Sequence, residues 1–248
     1  MTNLSEPLAR LGIILSSGNR TLEPYFRALA PAGLGIHVTR MRMGSGGVRR
    51  QGDIAAEALR CAELLADARV DAIDLQGTGI MMERGPQAEA ELVAHIAEAT
   101  GTPSYTATQS VVESLRALAA TQIAVVNPGN ASSLARERAY LKAVGIDIIE
   151  GIARDCGEAT FEVTPEEWMA DAKSVVRPAA GAIFLSGSHT RMVEAIAAIE
   201  QATGKPVVTS IQAALWAGLK RLETKLGPGM GYGTNGAPAS LGRLFATK

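Results

Sequence analysis

The chain has 248 residues, of which 47% are hydrophobic and 20% are charged, and its formal net charge is −1. A near-neutral chain without a basic run lacks the electrostatic footprint of a protein that binds nucleic acid or a membrane surface. No apolar run approaches the roughly 18 residues of a membrane span and the first residues do not resemble a signal peptide, so we expect a cytoplasmic globular protein.

The first half of the chain alternates short apolar runs, typical of strands, with longer amphipathic patterns, typical of helices. Strands are predicted at residues 11–15, 35–41, 70–77 and 103–107. Helices rich in Ala, Glu, Leu and Arg are predicted at residues 20–30, 51–68, 86–99 and 109–119. Strands that alternate with helices in this way indicate βαβ units and mainly parallel sheets.

The second half of the chain repeats this plan. Strands are predicted, again with helices between them, at residues 122–127, 145–151, 180–187 and 206–210. The halves also match in sequence, because a shift of 110 positions places residues 72–82 on residues 182–192. A shift of 103 positions places residues 99–109 on residues 202–212. Similar offsets in the same order indicate a duplicated α/β lobe.

This duplication predicts an α/β fold of two similar Rossmann-like lobes, with mainly parallel sheets, related by a pseudo-twofold axis. The first lobe is expected to comprise residues 1–117 with 212–248, and the second residues 118–211. Ligands of open α/β sheets bind beyond the carboxyl ends of the strands, and clefts between lobes are favoured pocket sites. We therefore expect the site in the cleft, where the equivalent loops "SSGN" and "NPGN", and "QGTG" and "SGSH", converge.

The cysteines and the glycine-rich runs do not indicate a metal or a cofactor. Cys61 and Cys156 are too few for a disulfide framework or a zinc knuckle. The glycine-rich runs at 44–47 and 227–238 lack the strand-to-helix context of a dinucleotide fingerprint and the ending of a phosphate loop. The run at 44–47 is interpreted either as a lid over the site or as a solvated loop. We expect a protein that uses no cofactor and no metal.

A family resemblance covers nearly the whole chain. It is carried by the segments "LSSGNRTLEP" (15–24), "LQGTG" (75–79), "GAIFLSGSHTRMVEAI" (181–196), "GKPVVTSIQAALW" (204–216) and "LGRLF" (241–245). These segments resemble, in order, the Asp/Glu racemase superfamily in its maleate cis-trans isomerase and arylmalonate decarboxylase branch. The resemblance implies cofactor-free chemistry at a site between two lobes.

The resemblance also implies a cysteine after the third strand of each lobe, where this chain has Gly77 and Gly187. Arylmalonate decarboxylases keep only the second of these cysteines, as a proton donor. A tyrosine that these groups often carry falls at Gly129. Racemisation needs a proton carrier on each face of the carbon, and thiolate addition needs a nucleophile, and glycine is neither. What remains is the part of the site that stabilises an anion.

Three side chains in the strand-end loops are candidates for catalysis. His189 is the natural proton-transfer group, because the ordinary pKa of histidine lies near neutrality. The alternative is that His189 is a turn residue. Ser188 and Thr78 align in the repeat and offer hydroxyl groups to an anion. Ser188 is also interpreted as the N-cap of a helix at 190–200, and we expect it both to cap this helix and to donate to the ligand.

The candidate substrate-binding residues share a place in the loops after strands. They are Ser17, Asn19, Arg20, Gly77, Gly79, Gly187 and Asn127. The resemblance implies that Asn19 binds a carboxylate, and the alternative is that it begins a helix. Arg20 either clamps a second carboxylate or is solvated. Asn127 either faces the cleft or forms a turn.

We interpret the chain as a cofactor-independent enzyme acting on a small carboxylate or dicarboxylate, most simply a decarboxylase that passes through an enediolate. One alternative is a maleate isomerase-like or racemase-like isomerase. Another is a hydrolase of a small amide or ring that uses His189, and a third is a non-catalytic carboxylate-binding protein. The expected partner is a small carboxylate, with no nucleic acid and no membrane, and the sequence leaves homo-oligomerisation open.

Overall fold

The computed structural model describes residues 6–42, 51–227 and 239–247. Within these residues the chain forms two four-stranded sheets in which the strands pair in parallel. The strands are β1 (Ala9–Ser16), β2 (Leu34–Met41), β3 (Ala72–Leu75), β4 (Ser104–Thr106), β5 (Gln122–Asn127), β6 (Asp147–Ala153), β7 (Ala182–Leu185) and β8 (Val207–Thr209). Each strand predicted from the sequence is present, with ends shifted by a few residues at most.

Helices cover both faces of these sheets. They are α1 (Leu22–Leu29), α2 (Gln51–Asp67), α3 (Thr78–Arg84), α4 (Pro86–Thr100), α5 (Ala107–Ala117), α6 (Ala131–Ala143), α7 (Pro165–Val175), α8 (Ile196–Thr203) and α9 (Ser210–Leu226). Short 3-10 helices occupy Gly157–Phe161, Met192–Ala195, Ala239–Leu241 and Arg243–Ala246. Because both faces are covered, strands such as β7 are buried at every residue and appear in the sequence as continuous apolar runs.

The two sheets have the same topology. The strand order is β2-β1-β3-β4 in the first and β6-β5-β7-β8 in the second. The register also corresponds, because Leu75 at the end of β3 pairs with Thr106 in β4, and Leu185 at the end of β7 pairs with Thr209 in β8. The predicted fold of two similar parallel α/β lobes is therefore confirmed.

The repeat extends to the helix caps after the last strand of each lobe. Thr106 accepts a hydrogen bond from the backbone N–H of Gln109, whose side chain accepts one from the Thr106 N–H. Thr209 and Gln212 form the same capping box at the start of α9. A capping box satisfies two backbone donors at once, so it fixes where each helix begins. These pairs belong to the segments that the shift of 103 positions aligns.

Helix α9 and the end of the chain connect the lobes. Helix α9 packs on α5 and on strands β1 and β3 of the first sheet, and it also contacts β8 of the second sheet. Gln212 Nε2 in α9 donates to the carbonyl of Leu241 at 2.6 Å, and the backbone N–H of Arg243 donates to Glu200 in α8. The division of the chain at 117/118 and 211/212 stays a prediction, because these contacts extend across it.

The structure differs from the sequence prediction after β3 and after β7. Helix α3 begins directly at Thr78, although a segment with a glycine and β-branched residues has low helix propensity. Its burial of Met81 and Met82 supplies the stabilisation. The helix expected at 190–200 instead starts as the 3-10 helix Met192–Ala195, and α8 begins at Ile196. Ser188 is therefore not the N-cap of that helix.

Two further expectations concern membranes and the glycine-rich runs. In the described ranges, no helix is both long and apolar enough to cross a bilayer. The run at 44–47 and residues 228–238 lie outside the described residues. The interpretation of 44–47 as a lid therefore stays a prediction.

Candidate functional site

The carboxyl ends of β1, β3, β5 and β7 open into a cleft with two adjoining chambers. The first chamber, of about 460 Å³, is lined by residues that include Asn19, Gly77, Thr78, Gly79, Ser188 and His189. The second chamber, of about 410 Å³, is lined by residues that include Asn127, Asn130, Ser133, Glu137 and Ser186. Gly79, Pro128, Arg136, Thr160 and Gly187 line both chambers. The structure thus brings most of the sequence-predicted site residues together.

The glycines after β3 and β7 occupy equivalent positions, and both have a backbone conformation that favours glycine. Gly77 has φ of 130° and Gly187 has φ of 105°, a region that residues with a Cβ rarely adopt. A Cβ on Gly187 would lie 3.2 Å from Cγ of Pro128, and one on Gly77 would lie 3.2 Å from Cδ1 of Ile80. Any larger side chain at these positions strains the present backbone.

Asn19 connects the two lobes at the edge of the first chamber. Its Oδ1 accepts hydrogen bonds from the backbone N–H groups of Thr21 and Leu22, each at 3.0 Å, which satisfies donors at the start of α1. Its Nδ2 donates to the carbonyl of Ser188 at 2.8 Å, and Thr21 Oγ1 donates to the same carbonyl at 2.9 Å. Asn19 therefore both accepts from the backbone donors at the start of α1, whose N-cap is Thr21, and holds the loop that carries Ser188 against the first lobe.

Ser210, the first residue of α9, makes a second link between the lobes. Thr78 Oγ1 donates to Ser210 Oγ at 3.2 Å, and the backbone N–H of Gly187 donates to the same oxygen at 3.0 Å. The N–H of Gly187, a candidate substrate-binding residue, is thus occupied by Ser210. Thr78 is 3% exposed, so its hydroxyl is fixed in place at the wall of the chamber.

His189 lies half-buried at the first chamber, stacked on Phe161 with 6.0 Å between ring centroids. The guanidinium of Arg20 lies 4.8 Å from the centroid of the same Phe161 ring, within cation–π distance. Burial lowers the pKa of His189 below its ordinary value, and the charge of Arg20 lowers it further. Its Nε2 has no hydrogen-bond partner within the described part of the chain. Burial and the charge of Arg20 both favour the uncharged imidazole.

Glu137 in α6 is the buried acid of the second chamber. Ser186 Oγ donates to its Oε1 at 2.6 Å, and Asn127 Nδ2 donates to its Oε2 at 2.8 Å. Burial raises the pKa of Glu137 to about 7, although both hydrogen bonds oppose the shift. Asn127 Oδ1 accepts from the backbone N–H of Gly129 at 2.7 Å. Asn127 thus forms a turn and also holds Glu137.

Arg136 brings positive charge to both chambers. Its Nη1 donates to Ser132 Oγ at 2.8 Å, and within the described ranges it forms no ion pair with a carboxylate. A guanidinium presents donors in a planar fork that matches a carboxylate. Arg136 can therefore bind an anionic ligand without first breaking an ion pair.

Ser17 and Arg20 do not line either chamber. They line a neighbouring depression together with Glu23, Arg27 and Arg40. Arg40, which precedes the predicted lid, pairs with Glu23 at 3.1 Å. The predicted substrate-binding roles of Ser17 and Arg20 stay predictions, and they now concern this depression at the rim.

The two cysteines do not line either chamber. Cys61 is fully buried in α2, and Cys156 is half-buried and packs against the core. Burial raises the pKa of both thiols, which disfavours the thiolate. Residues next to Cys156, Asp155 and Gly157, do line the second chamber. The described residues also contain no cluster of three or more potential metal ligands.

The residues that sequence reasoning missed lie on helices. Arg136, Glu137 and Ser133 belong to α6, and Ser210 begins α9, whereas the prediction considered only the loops after strands. Positions 133, 136 and 137 share one helix face because residues three and four apart are neighbours. The spacing of these three residues after the "NPGN" loop is the sequence signal that indicates a polar helix face at the cleft.

Comparison with known proteins agrees with this architecture. The family model of arylmalonate decarboxylase matches residues 34–234. A maleate isomerase of Pseudomonas putida is 27% identical over 246 residues, covering 93% of this chain and 98% of the relative.

Two solved structures have the same fold. The maleate isomerase Iso from Pseudomonas putida S16, as a cysteine-to-alanine variant with maleate, gives a TM-score of 0.85 at 25% identity, covering 96% of this chain and 98% of that one. An arylmalonate decarboxylase gives a TM-score of 0.80 at 21% identity, covering 96% of this chain and 100% of that one, which shows the fold alone. Because the family model spans most of the chain, the protein belongs to the arylmalonate decarboxylase family, in the branch of the Asp/Glu racemase superfamily that includes maleate isomerases.

Proposed function

We propose that the protein is a cofactor-independent decarboxylase of a small, activated malonate-like dicarboxylic acid. The main support for this proposal is the lining of the cleft. Arg136 lines it together with the strand-end glycines Gly77 and Gly187, and the described lining residues include no thiol. A guanidinium without a carboxylate partner fits a substrate that carries carboxylates. The binding of maleate by a relative supports a dicarboxylate ligand.

In this proposal the lobes divide the work of binding. Arg136 binds one carboxylate of the substrate, and the hydroxyl of Ser188 donates to the other. Thr78 contributes to the same carboxylate by turning its O–H away from Ser210 Oγ when the ligand binds. Asn19 holds the Ser188 loop in place through the 2.8 Å bond to its carbonyl. Gly77, Gly79 and Gly187 leave room for the ligand beside the backbone. Asn127 acts indirectly, because its amide is already bonded to Glu137.

Decarboxylation breaks the bond between the α-carbon and one carboxyl carbon, and its electron pair stays on the substrate as an enediolate. Donors that are fixed before the reaction stabilise such a charge better than mobile water does. One proton then adds to the α-carbon to give a monocarboxylate. The sequence-based hypothesis assigns this proton to His189. Burial and the charge of Arg20 lower the pKa of His189 and so disfavour the imidazolium that would donate this proton.

An isomerase of a maleate-like substrate is the second candidate, and the likeness to maleate isomerases favours it. Thiolate addition would need a cysteine in the cleft, and both cysteines lie elsewhere. A hydrolase that uses the uncharged His189 as a base remains an alternative, as does a carboxylate-binding protein without activity.

A substrate panel tests the proposal. Malonate, alkyl- and aryl-substituted malonates, maleate and small amides are each incubated with the protein and followed by NMR together with carbon dioxide and ammonia assays. Carbon dioxide release from a substituted malonate is the expected result. Conversion of maleate to fumarate without gas would establish the isomerase, and ammonia release the hydrolase. Binding by calorimetry without any turnover would leave a binding protein.

A further inference from the structure

Glu137 is a buried acid that faces the cleft. The residue is only 1% exposed, yet it lines the second chamber. Both of its carboxyl oxygens are held, Oε1 by the Ser186 hydroxyl at 2.6 Å and Oε2 by the Asn127 amide at 2.8 Å. Ser186 also lines the chamber and directly precedes Gly187, which lines both chambers. A short hydrogen-bonded path thus leads from Glu137 to the junction of the two chambers.

Three other buried acids, Glu89, Asp74 and Glu200, are not among the described residues that line the cleft. Glu89 accepts hydrogen bonds from Thr106 and Tyr140 and lines a separate depression between the lobes. Asp74 is fully buried in β3, and it is not among the described residues that line the cleft. Burial of a carboxylic acid therefore occurs elsewhere in this fold, but contact with the cleft distinguishes Glu137.

We propose that Glu137 is the proton reservoir of the site and that it supplies the reacting carbon through the Ser186 hydroxyl. This inference rests on the proposed function, because the step needs a carbanionic intermediate. When Glu137 is protonated on Oε1, this O–H donates to Ser186 Oγ, the reverse of the bond that the carboxylate accepts, and the Ser186 O–H is free to face the ligand. As the C–H bond forms at the α-carbon, the Ser186 O–H bond breaks, and the proton on Glu137 Oε1 passes to Ser186 Oγ. A hydroxyl both donates and accepts, so Ser186 can carry the proton in this direction. Glu137 is left as a carboxylate and recovers a proton from water.

The charges around Glu137 are compatible with this role. Burial raises its pKa to about 7, so a large fraction of the acid carries its proton at neutral pH. Arg136 and Asp155 line the same chamber, and Glu83 lines the adjoining chamber from α3. His189, also in the adjoining chamber, has a lowered pKa and does not hold a competing extra proton.

The first test compares Glu137→Gln with a matched variant, Glu89→Gln, on the best malonate substrate. Loss of a proton-transfer group typically costs about 10²- to 10⁴-fold in rate, so kcat of Glu137→Gln should fall in that range. Its KM should change by less than about threefold, because the lost interaction belongs to the proton-transfer step. Glu137→Asp keeps an acid and should recover part of kcat. Glu89→Gln removes a buried acid outside the cleft and should keep wild-type kcat.

The pH profile separates a proton role from a structural one. Because Glu137 must be protonated to donate, wild-type kcat/KM, which follows the ionisation of the free protein, should decrease as pH rises through about 7. The midpoint should move in Glu137→Asp and disappear in Glu137→Gln, whereas Glu89→Gln should retain it. Wild-type kcat in Glu137→Gln, or an unchanged pH profile, would overturn the inference.

A binding experiment keeps this inference distinct from the proposed function. If the wild-type protein releases no carbon dioxide from any malonate, the decarboxylase is refuted, and Glu137 is then assessed by calorimetry with malonate. A bound dianion should raise the pKa of Glu137, so malonate binding at pH 7.5 should take up protons in the wild type and in Glu89→Gln. Uptake should be absent in Glu137→Gln. Equal uptake in all three proteins would overturn the proton role, and failure of malonate to bind would overturn both proposals.

Discussion

The two lobes share a backbone plan and differ in the segment after the third strand. In each lobe a glycine with positive φ stands two residues after the last leucine of that strand, Gly77 after β3 and Gly187 after β7. In the first lobe the glycine leads directly into α3. In the second it leads into the turn of Ser188 and His189, and a regular helix starts only at Ile196.

The chemistry of the two walls differs as well. The first lobe contributes the neutral side chains of Asn19 and Thr78 and one acid, Glu83, whereas the second contributes Arg136, Glu137 and His189. Duplication of the fold thus supplies the cleft, while charge and exchangeable protons lie mainly on one side of it. An asymmetric cleft suits a reaction that delivers one proton to one face of a carbon.

After the Glu137 variants, the largest effect expected from breaking this asymmetry comes from Arg136→Gln. Removing the guanidinium leaves a substrate carboxylate without its charged partner, and hydrogen bonds to charged groups contribute about 1.5 to 3 kcal/mol. We expect kcat/KM for the malonate substrate to fall by about 10- to 100-fold, mostly through KM. Steady-state kinetics across a range of substrate concentrations measures this effect.

Arg138→Gln is the matched control for Arg136→Gln. Arg138 is on the same helix, but it donates to the backbone carbonyl of Ile148 and is not among the described lining residues. Its replacement should leave KM near the wild-type value. Equal increases in KM for both variants would show that the effect is the general charge of α6, and the assignment of a carboxylate site to Arg136 would fail.

His189→Ala comes next and distinguishes the two candidate proton donors of the second lobe. With Glu137 as the proton source, His189 only shapes the chamber, and kcat should fall by about tenfold or less. The sequence-based hypothesis instead expects about 10²- to 10⁴-fold for loss of a proton-transfer group. A loss in that higher range, with Glu137→Gln unaffected, would return the proton to His189. Parallel measurement of kcat for both variants decides between them.

The backbone was predictable from the sequence because its signals are local and repeated. Three features repeat at similar spacing in the two lobes. They are the apolar strand runs, the glycines at 77 and 187, and the capping pair of Thr106 and Gln109 with its counterpart in the second lobe. Such patterns depend on burial and on backbone geometry, which the order of residue types expresses directly. The loops at the strand ends were for the same reason placed correctly in the cleft.

The rest depended on contacts between distant segments. Ser210 bonds to Thr78, which is 132 residues away in the sequence, and to Gly187, which is 23 residues away. The residues next to Ser210 in the sequence do not indicate either contact. Glu137 looked like one charge among several on a polar helix. Its pKa is raised because the fold buries it, and burial at a chamber wall is a property of the tertiary structure.

Asp74→Asn tests the role of the buried acid in the first lobe, which does not line the described chambers, in contrast to Glu137 in the second lobe. Burial raises the pKa of Asp74 from 3.8 to about 7, so its protonated form is favoured in the folded state. The wild-type free energy of unfolding should therefore decrease as pH rises from about 4 to about 7, and level off above that. Asp74→Asn carries no such charge and should be more stable than the wild type at pH 8 by about 1 to 4 kcal/mol. Urea unfolding at pH 4 and pH 8 measures the free energy of unfolding of both proteins. An equal difference between Asp74→Asn and the wild type at the two pH values would contradict the prediction.

The smallest expected effect concerns the thiols. Cys61→Ala should keep kcat within about twofold while it costs about 1 to 2 kcal/mol of stability, because it removes a buried sulfur from the α2 core. Cys156→Ser should also keep kcat, since the Cys156 thiol does not line the described chambers. Iodoacetamide should react slowly with the native protein, because burial raises the pKa of both thiols. Loss of activity in folded Cys156→Ser would show that the loop next to Asp155 brings a thiol into the second chamber, and the asymmetry of the cleft would then rest on sulfur chemistry rather than on Glu137.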